Sequence, residues 1–254
     1  MVKIKAIKAF SDNYIWLLST NEGSVIIDPG DYSPVSKYTK ELGIDINGVL
    51  ITHHHFDHTG GIKDLLLQNN IPIFGPKNNI NEIDKVVGDG DKINFIGLEF
   101  VVIEVPGHTL DHIAYFCENN GEPFLFCGDT LFAGGCGRVF EGTFDQMFSS
   151  LEKIKKLPPN TKIYCAHEYT QQNLKFALEV EPNNESLLTR YKETKELRLR
   201  DEITLPSTIS LELKTNPFLR CNEKTIHESI LNKYNISGND PQIFKAVRTW
   251  KDSF

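Results

Sequence analysis

The 254-residue chain has no apolar run approaching the ~20 residues a membrane-spanning helix needs. Its opening residues, Met1 to Lys8, alternate as a strand does and lack the apolar stretch of a secretion signal. The chain is therefore expected to begin directly in its fold. Cysteine is scarce: Cys117, Cys127, Cys136, Cys165 and Cys221 form an odd set with no C-x-x-C pair, which argues against a disulfide framework and fits reduced thiols in the cytoplasm. Positive charge is in deficit, 27 Lys and Arg against 34 Asp and Glu, and the net charge of −7 argues against nucleic-acid binding as the main task. Repeats and low-complexity segments are also missing. What remains, 40% hydrophobic and 24% charged residues, is ordinary for a globular chain long enough to bury a sizeable core in one or two domains.

Histidine is abundant in one place. Residues 52–61, Thr-His-His-His-Phe-Asp-His-Thr-Gly-Gly, hold four histidines and an aspartate within six positions. The run follows apolar Val49-Leu50-Ile51 and precedes a leucine-rich segment, so it reads as a strand end opening into a loop. His53 and His55 are two apart, which in extended backbone puts both imidazoles on one side and His54 on the other. Asp57 and His58 then fall in the turn, able to face a second ion. Imidazole with one hard carboxylate suits zinc, iron or manganese and not calcium or magnesium. A solvated polar loop is the bland alternative, but the spacing carries a geometry that such a loop does not need.

Three more strand-like runs end in metal-binding groups: 100–105 before His108, 124–128 before Asp129, and 162–165 before His167. Cys127 and Cys165 each lie two residues before one of these groups; both sit in apolar segments and read as small buried hydrophobes. Before residue 168, β-rich runs alternate with turns such as Asp28-Pro29-Gly30, with helical character at 33–43, 62–68 and 144–157. After it, helical patterns dominate at 171–181, 185–201, 223–234 and 241–252. Asp240-Pro241 signals the last start, a side-chain cap followed by proline. Residues 204–220 show no helical pattern and read as a connecting loop.

On His53, His55, Asp57, His58, His108, Asp129 and His167 the sequence resembles the metallo-β-lactamase superfamily. Within it, Asp12-Asn13-Tyr14-Ile15-Trp16, Gly128-Asp129-Thr130, Gly134-Gly135-Cys136-Gly137-Arg138, Phe140-Glu141-Gly142-Thr143, Ala166-His167-Glu168-Tyr169-Thr170 and Asn216-Pro217-Phe218-Leu219-Arg220 resemble the glyoxalase II (hydroxyacylglutathione hydrolase) family over essentially the whole chain. The resemblance implies an α/β fold, a four-layer α/β/β/α metallo-β-lactamase sandwich over residues 1–168, followed by a small all-α substrate-binding domain over 169–254. It implies two divalent ions, zinc foremost with iron or manganese accepted, one held by His53, His55 and His108, the other by Asp57, His58 and His167, and Asp129 bridging both. The implied reaction is hydrolysis of S-(2-hydroxyacyl)glutathione thioesters, chiefly S-D-lactoylglutathione to glutathione and D-lactate, in methylglyoxal detoxification. Asp57 and Asp129 with a bridging hydroxide would be the catalytic groups, because metal binding brings the pKa of water from about 15.7 to about 7. Two ions less two carboxylates and a hydroxide leave about one positive charge to stabilise an oxyanion on the thioester carbonyl.

Glutathione conjugates carry carboxylates, so an acidic protein needs local positive charge to hold them. Arg248 and Lys251 lie three apart and share a helix face; from spacing alone they read as a solvated face. The resemblance instead assigns them, with Arg138 and Tyr169, to the substrate. Arg138 stands where many relatives have lysine and Phe140 where some have tyrosine, so charge is kept at the first and a hydroxyl lost at the second. Asp111 replaces a glycine of the commoner motif and either orients His108 or faces solvent. His54 and His112 read as support, His227 as remote, Glu168 as structural. A monomer in the cytoplasm with a small-molecule substrate, no nucleic acid and no membrane is expected. Two other activities on this fold stay open, a single-iron persulfide dioxygenase and a phosphodiesterase or nuclease, as does a metal-stabilised binding module. The helical tail and the acidic balance speak against the two enzymes, and a closed cysteine-rich set would be expected of the module.

Overall fold

A computed structural model describes residues 1–254. The chain divides into two compact units, Met1–Glu104 with Asp111–Gly128, and Val105–Leu110 with Asp129–Phe254.

In the first unit, β1 (Lys3–Ala9), β2 (Asn13–Ser19), β3 (Ser24–Ile27), β4 (Gly48–Leu50), β5 (Ile73–Gly75) and β6 (Lys85–Val86) form a sheet in sequence order. β1, β2 and β3 pair antiparallel; β3 to β6 pair parallel. The parallel half needs crossovers, and α1 (Tyr32–Leu42) supplies the one between β3 and β4. Asp31 caps α1 by accepting from Ser33, and Gly43 closes it at a φ of 63°. β2, β3 and β4 are almost entirely buried and read as continuous apolar runs, as strands covered on both faces do. One face carries Ile7, Ile15, Leu17, Ile26, Val49 and Ile51 against Val35 of α1 and Ile62 and Leu65 of α3 (Ile62–Gln68). An antiparallel meander follows: β7 (Lys92–Phe95), β8 (Leu98–Glu104), β9 (Ile113–Cys117) and β10 (Phe124–Gly128). Tyr115 of β9 ties the meander to the first sheet by donating its hydroxyl to Ile51 O at 2.7 Å; burial pushes that phenol well above its ordinary pKa.

The second unit holds the hairpin β11 (Leu131–Phe132) and β12 (Gly135–Cys136), the pair β13 (Lys162–Cys165) and β14 (Ser207–Thr208), and six helices. These are α4 (Phe144–Lys155), α5 (Thr170–Val180), α6 (Glu185–Leu199), α7 (Ile209–Thr215), α8 (Lys224–Tyr234) and α9 (Asp240–Asp252). (α2, Phe56–Thr59, is a single turn of the first unit.) α5 and α6 share an apolar seam of Leu174, Ala177 and Leu187, and Phe148, Phe176, Phe218, Phe244 and Trp250 stack into an aromatic spine.

Two local expectations change. α9 is capped by Asn239, whose side chain accepts from Gln242 in a capping box, so Asp240 is already helical and Pro241 follows it. Residues 204–220, expected to be a loop, contain α7. Its inward face is Ile209, Glu212 and Thr215, so the face that is buried carries a carboxylate and a hydroxyl, and no apolar period shows.

Candidate active site

In the first unit the histidine run is organised by Asp28, which follows β3 at a φ of 52°. Few residues other than glycine sit there; a short polar side chain tolerates it best. Asp28 Oδ1 accepts the Thr52 N–H and Oδ2 the Thr52 hydroxyl, both at 2.8 Å, and Oδ2 lies 3.0 Å from His58 Nδ1. Gly30 is required two residues on, because a Cβ there would overlap the Asp57 carbonyl.

This network selects tautomers. The carboxylate can only accept, so His58 presents Nδ1–H to it and its lone pair lies at Nε2. The Thr52 hydroxyl spends its proton on Asp28, so at 3.0 Å it accepts from His53 Nδ1, and the His53 lone pair also lies at Nε2. His53 Nε2 stands 3.1 Å from His55 Nδ1. Two nitrogens on one tetrahedral zinc at 2.0–2.1 Å would be about 3.3 Å apart, so the pair has the spacing of shared ligands, on the same side as the period of two requires. Asp57 accepts from Asn13 Nδ2 at 3.0 Å and lies 3.5 Å from His58 Nε2. His112 stacks on His53 at 4.5 Å. His54 turns away and meets Asp111 at 2.9 Å, whose other oxygen accepts from Asn78. Of the two readings of Asp111, solvent is excluded, and the imidazole it orients is that of His54.

In the second unit the segment carrying His108 is clasped by residues 140–142: Phe140 and Glu141 donate their N–H groups to His108 O, and Gly142 donates to Gly107 O. His108 Nδ1–H donates to Arg138 O at 2.8 Å, which again leaves the lone pair at Nε2. His108 Nε2 and His167 Nε2 each lie 3.4 Å from the same oxygen, Asp129 Oδ2. One carboxylate set equally against two imidazoles is the arrangement a bridging ligand needs. Gly137 has no room for a Cβ between the Asp129 carbonyl and the His108 ring. His167 stacks face to face on Tyr169 at 4.7 Å, with Phe132 edge-on behind it.

The cations expected to hold substrate are all in this unit. Arg138 is exposed, 3.5 Å from Asp252. Arg248 is only 3% exposed and so is not on a solvated helix face. Its guanidinium donates to Cys136 O and Asp252 Oδ1, both at 2.9 Å, and lies over the Phe218 ring. Lys251 is half-buried against Phe176 and Phe254. Desolvation, then the neighbouring Arg248, lowers its pKa to about 8. None of the five cysteines forms a disulfide and all are buried. Burial pushes Cys165 up to about 12, which suits a packing role better than a thiolate ligand. His227, on α8, donates from Nε2 to Cys221 O, and Glu168 accepts from Thr204.

Sequence reasoning missed Asp28, Thr52 and Asn13. The signal for Asp28 was a carboxylate closing a buried strand just before Pro-Gly, which reads first as turn chemistry.

Residues 10–167 match the metallo-beta-lactamase superfamily and residues 168–254 match the hydroxyacylglutathione hydrolase C-terminus. The chain is 45% identical over 256 residues to the hydroxyacylglutathione hydrolase of Idiomarina loihiensis, covering 99% of this chain and all of that one. It is 47% identical over 257 residues to that of Aliivibrio fischeri, each chain covered in full. Among solved structures it resembles ETHE1 from Myxococcus xanthus, with a TM-score of 0.65 at 23% identity, covering 100% of this chain and 99% of that one, a likeness of fold. The fold class is thus the metallo-β-lactamase sandwich followed by a C-terminal helical region. No helix is long and apolar enough to cross a membrane. By identity along its full length and by the match at its helical end, the chain belongs to the hydroxyacylglutathione hydrolase family of the metallo-β-lactamase superfamily.

Proposed function

We propose that the chain hydrolyses S-(2-hydroxyacyl)glutathione thioesters, chiefly S-D-lactoylglutathione, with residues 1–168 as the catalytic domain and 169–254 as the substrate-binding domain. The observation that carries the reading is Asp129 Oδ2, equidistant from His108 and His167. His53, His55 and His108 would hold one divalent ion, Asp57, His58 and His167 the other, and Asp129 would bridge them. The donor set supports this, because partner chemistry places the lone pairs of His53, His58 and His108 at Nε2 and because nitrogen with hard carboxylate oxygen suits zinc, iron or manganese. When bound, two such ions supply hydroxide at neutral pH and positive charge for a developing oxyanion.

The chain's own residues do the rest. Asp28 and the Arg138 carbonyl hold imidazole rings in one tautomer, and Asn13 holds Asp57. Arg138, Tyr169 and Lys251 receive the carboxylates and peptide groups of the glutathione part, with the buried Arg248 adding its positive charge from beneath Cys136 O. Lys251 serves this well because its ammonium is poorly hydrated, so a carboxylate partner restores what burial removed. The leaving thiolate, of parent pKa about 8.5, departs without a strong general acid. We assign zinc as the first metal, a monomer as the working form and the cytoplasm as the compartment; buried cysteines outside any disulfide are consistent with the last.

The test is release of thiol from S-D-lactoylglutathione by purified protein, run beside metal analysis. Turnover with two metals per chain supports the reading. Failure on the thioester with oxygen uptake on glutathione persulfide replaces it with a dioxygenase, and full activity with one metal refutes the dinuclear part.

A further inference from the structure

Glu212 and Arg190 form an ion pair at 2.6 Å that is almost completely shielded from water, and neither is among the proposed metal ligands or substrate contacts. Burying two charges brings little net stability, since desolvation offsets their attraction and a well-packed apolar pair of the same volume would do as well or better. Stability therefore does not account for the pair, and its remaining contacts point elsewhere. Glu212 Oε2 accepts the backbone N–H of Gly134 at 2.8 Å and the Asn216 side-chain amide at 2.9 Å; Oε1 accepts from Arg190 and Ser207. Asn216 in turn donates to Phe132 O at 3.2 Å and Gly135 O at 2.9 Å, and Asn173 donates to Ala133 O at 3.2 Å.

Three side chains from α5, α7 and the α7 C-cap thus satisfy the backbone of residues 132–135, the tip of the β11–β12 hairpin. That hairpin joins Asp129 to Arg138. At its base Gly137 N–H donates to Thr130 O, and the Arg138 carbonyl accepts from His108 Nδ1. Gly137 also packs so tightly on the Asp129 carbonyl and the His108 ring that a methyl group would not fit. A shift of the hairpin must therefore move either the Asp129 carboxylate or the acceptor that sets the His108 tautomer.

We propose that Glu212, neutralised by Arg190 and extended by Asn216, is a positioning residue for the reaction, fixing the 130–138 hairpin and through it Asp129 and His108. The inference rests on the proposed ligand roles of those two residues. A carboxylate suits the task because it is acceptor-only: it takes donors from Gly134, Asn216, Ser207 and Arg190 at once, which no amide or hydroxyl side chain does. Asn216→Ala removes the links to Phe132 and Gly135 and leaves the ion pair; Glu212→Gln keeps the shape and removes the charge. Glu181→Gln is the control, because Glu181 is a buried carboxylate of the same unit whose hydrogen bonds come from Arg220 and Thr225 and not from the hairpin.

In metal-free protein, amide exchange across 130–138 should speed up roughly tenfold or more in Asn216→Ala and Glu212→Gln. Chelator competition should show zinc affinity lower by roughly 10–100-fold, the range for partners that orient ligands. On the thioester, kcat should fall with KM within about twofold. Glu181→Gln should lower the melting temperature and move none of these. The proposal is overturned if, at equal loss of melting temperature, the two variants match Glu181→Gln in exchange and metal affinity. If Glu212→Gln does not fold, Asn216→Ala decides alone. Should wild type not hydrolyse the thioester while exchange and affinity respond as stated, the positioning role stands and the substrate assignment falls.

Discussion

Asp28→Asn replaces one buried oxygen with an NH2 group and tests whether the histidine tautomers are set by their partners. The backbone is not the issue, because asparagine tolerates a φ of 52° at least as well as aspartate. With its remaining oxygen accepting from Thr52 N–H, the new NH2 group faces the Thr52 hydroxyl and His58 Nδ1. It satisfies His58 only by donating to Nδ1, which moves the imidazole proton to Nε2, the nitrogen proposed for the metal. Loss of an orienting partner lowers metal affinity by roughly 10–100-fold, or about 1.4–2.7 kcal/mol. The fold should lose about 1–3 kcal/mol from weakened charge-assisted hydrogen bonds. Chelator competition measures the affinity, 15N shifts of His58 report the tautomer, and urea unfolding of metal-free protein separates the two losses. Wild-type metal affinity in a variant whose His58 still carries its proton on Nδ1 would refute the argument.

Three further outcomes are expected. Lys251→Ala should raise KM for S-D-lactoylglutathione roughly tenfold or more with kcat nearly unchanged, whereas Arg248→Ala, which also strips the donor from Cys136 O in the 130–138 hairpin, should raise KM and lower kcat together; initial-rate kinetics check this, and a fall in kcat alone for Lys251→Ala would give the helix another purpose. Lys251 titrates near 8 in the folded protein and 10.5 unfolded. The unfolded chain therefore binds more protons between those values, and stability should rise with pH across that window relative to Lys251→Met, while KM rises as the ammonium is lost above pH 8; urea midpoints and KM from pH 7 to 10 report both. Gly137→Ala should cost about 1–3 kcal/mol or more through overpacking against Asp129 O and His108, seen as a lower melting temperature of the metal-free protein.

The helices at 144–155, 170–180, 185–199 and 224–234 were legible because each follows a helical pattern bounded by turn or cap signals. α7 was not, since the side chains it buries at Glu212 and Thr215 are polar, and hydrophobic periodicity records burial only where burial is apolar. The sequence pattern places the start of α9 one residue late because Asn239 and Asp240 are equally good caps, and only the contact with Gln242 chooses between them. Arg248 shows the converse error of spacing: an i, i+3 cation pair reads as a wet face, yet the arginine lies under Cys136 O and over Phe218, residues more than a hundred and exactly thirty positions earlier in the chain.

The chemistry on offer is written in residue types and their spacing. Residue identities fixed the imidazoles and carboxylates, the two-residue period of extended chain put His53 and His55 on one side with His54 opposite, and motifs along the full length marked the family. Tertiary structure alone decided which nitrogen of each ring carries its proton and which cations are sheathed in the fold. Tautomer and desolvation depend on what stands within about 3 Å of an atom. Those neighbours, Asp28 for His58, Arg138 O for His108, Cys136 O for Arg248, are brought there by strand pairing and packing between residues distant in sequence.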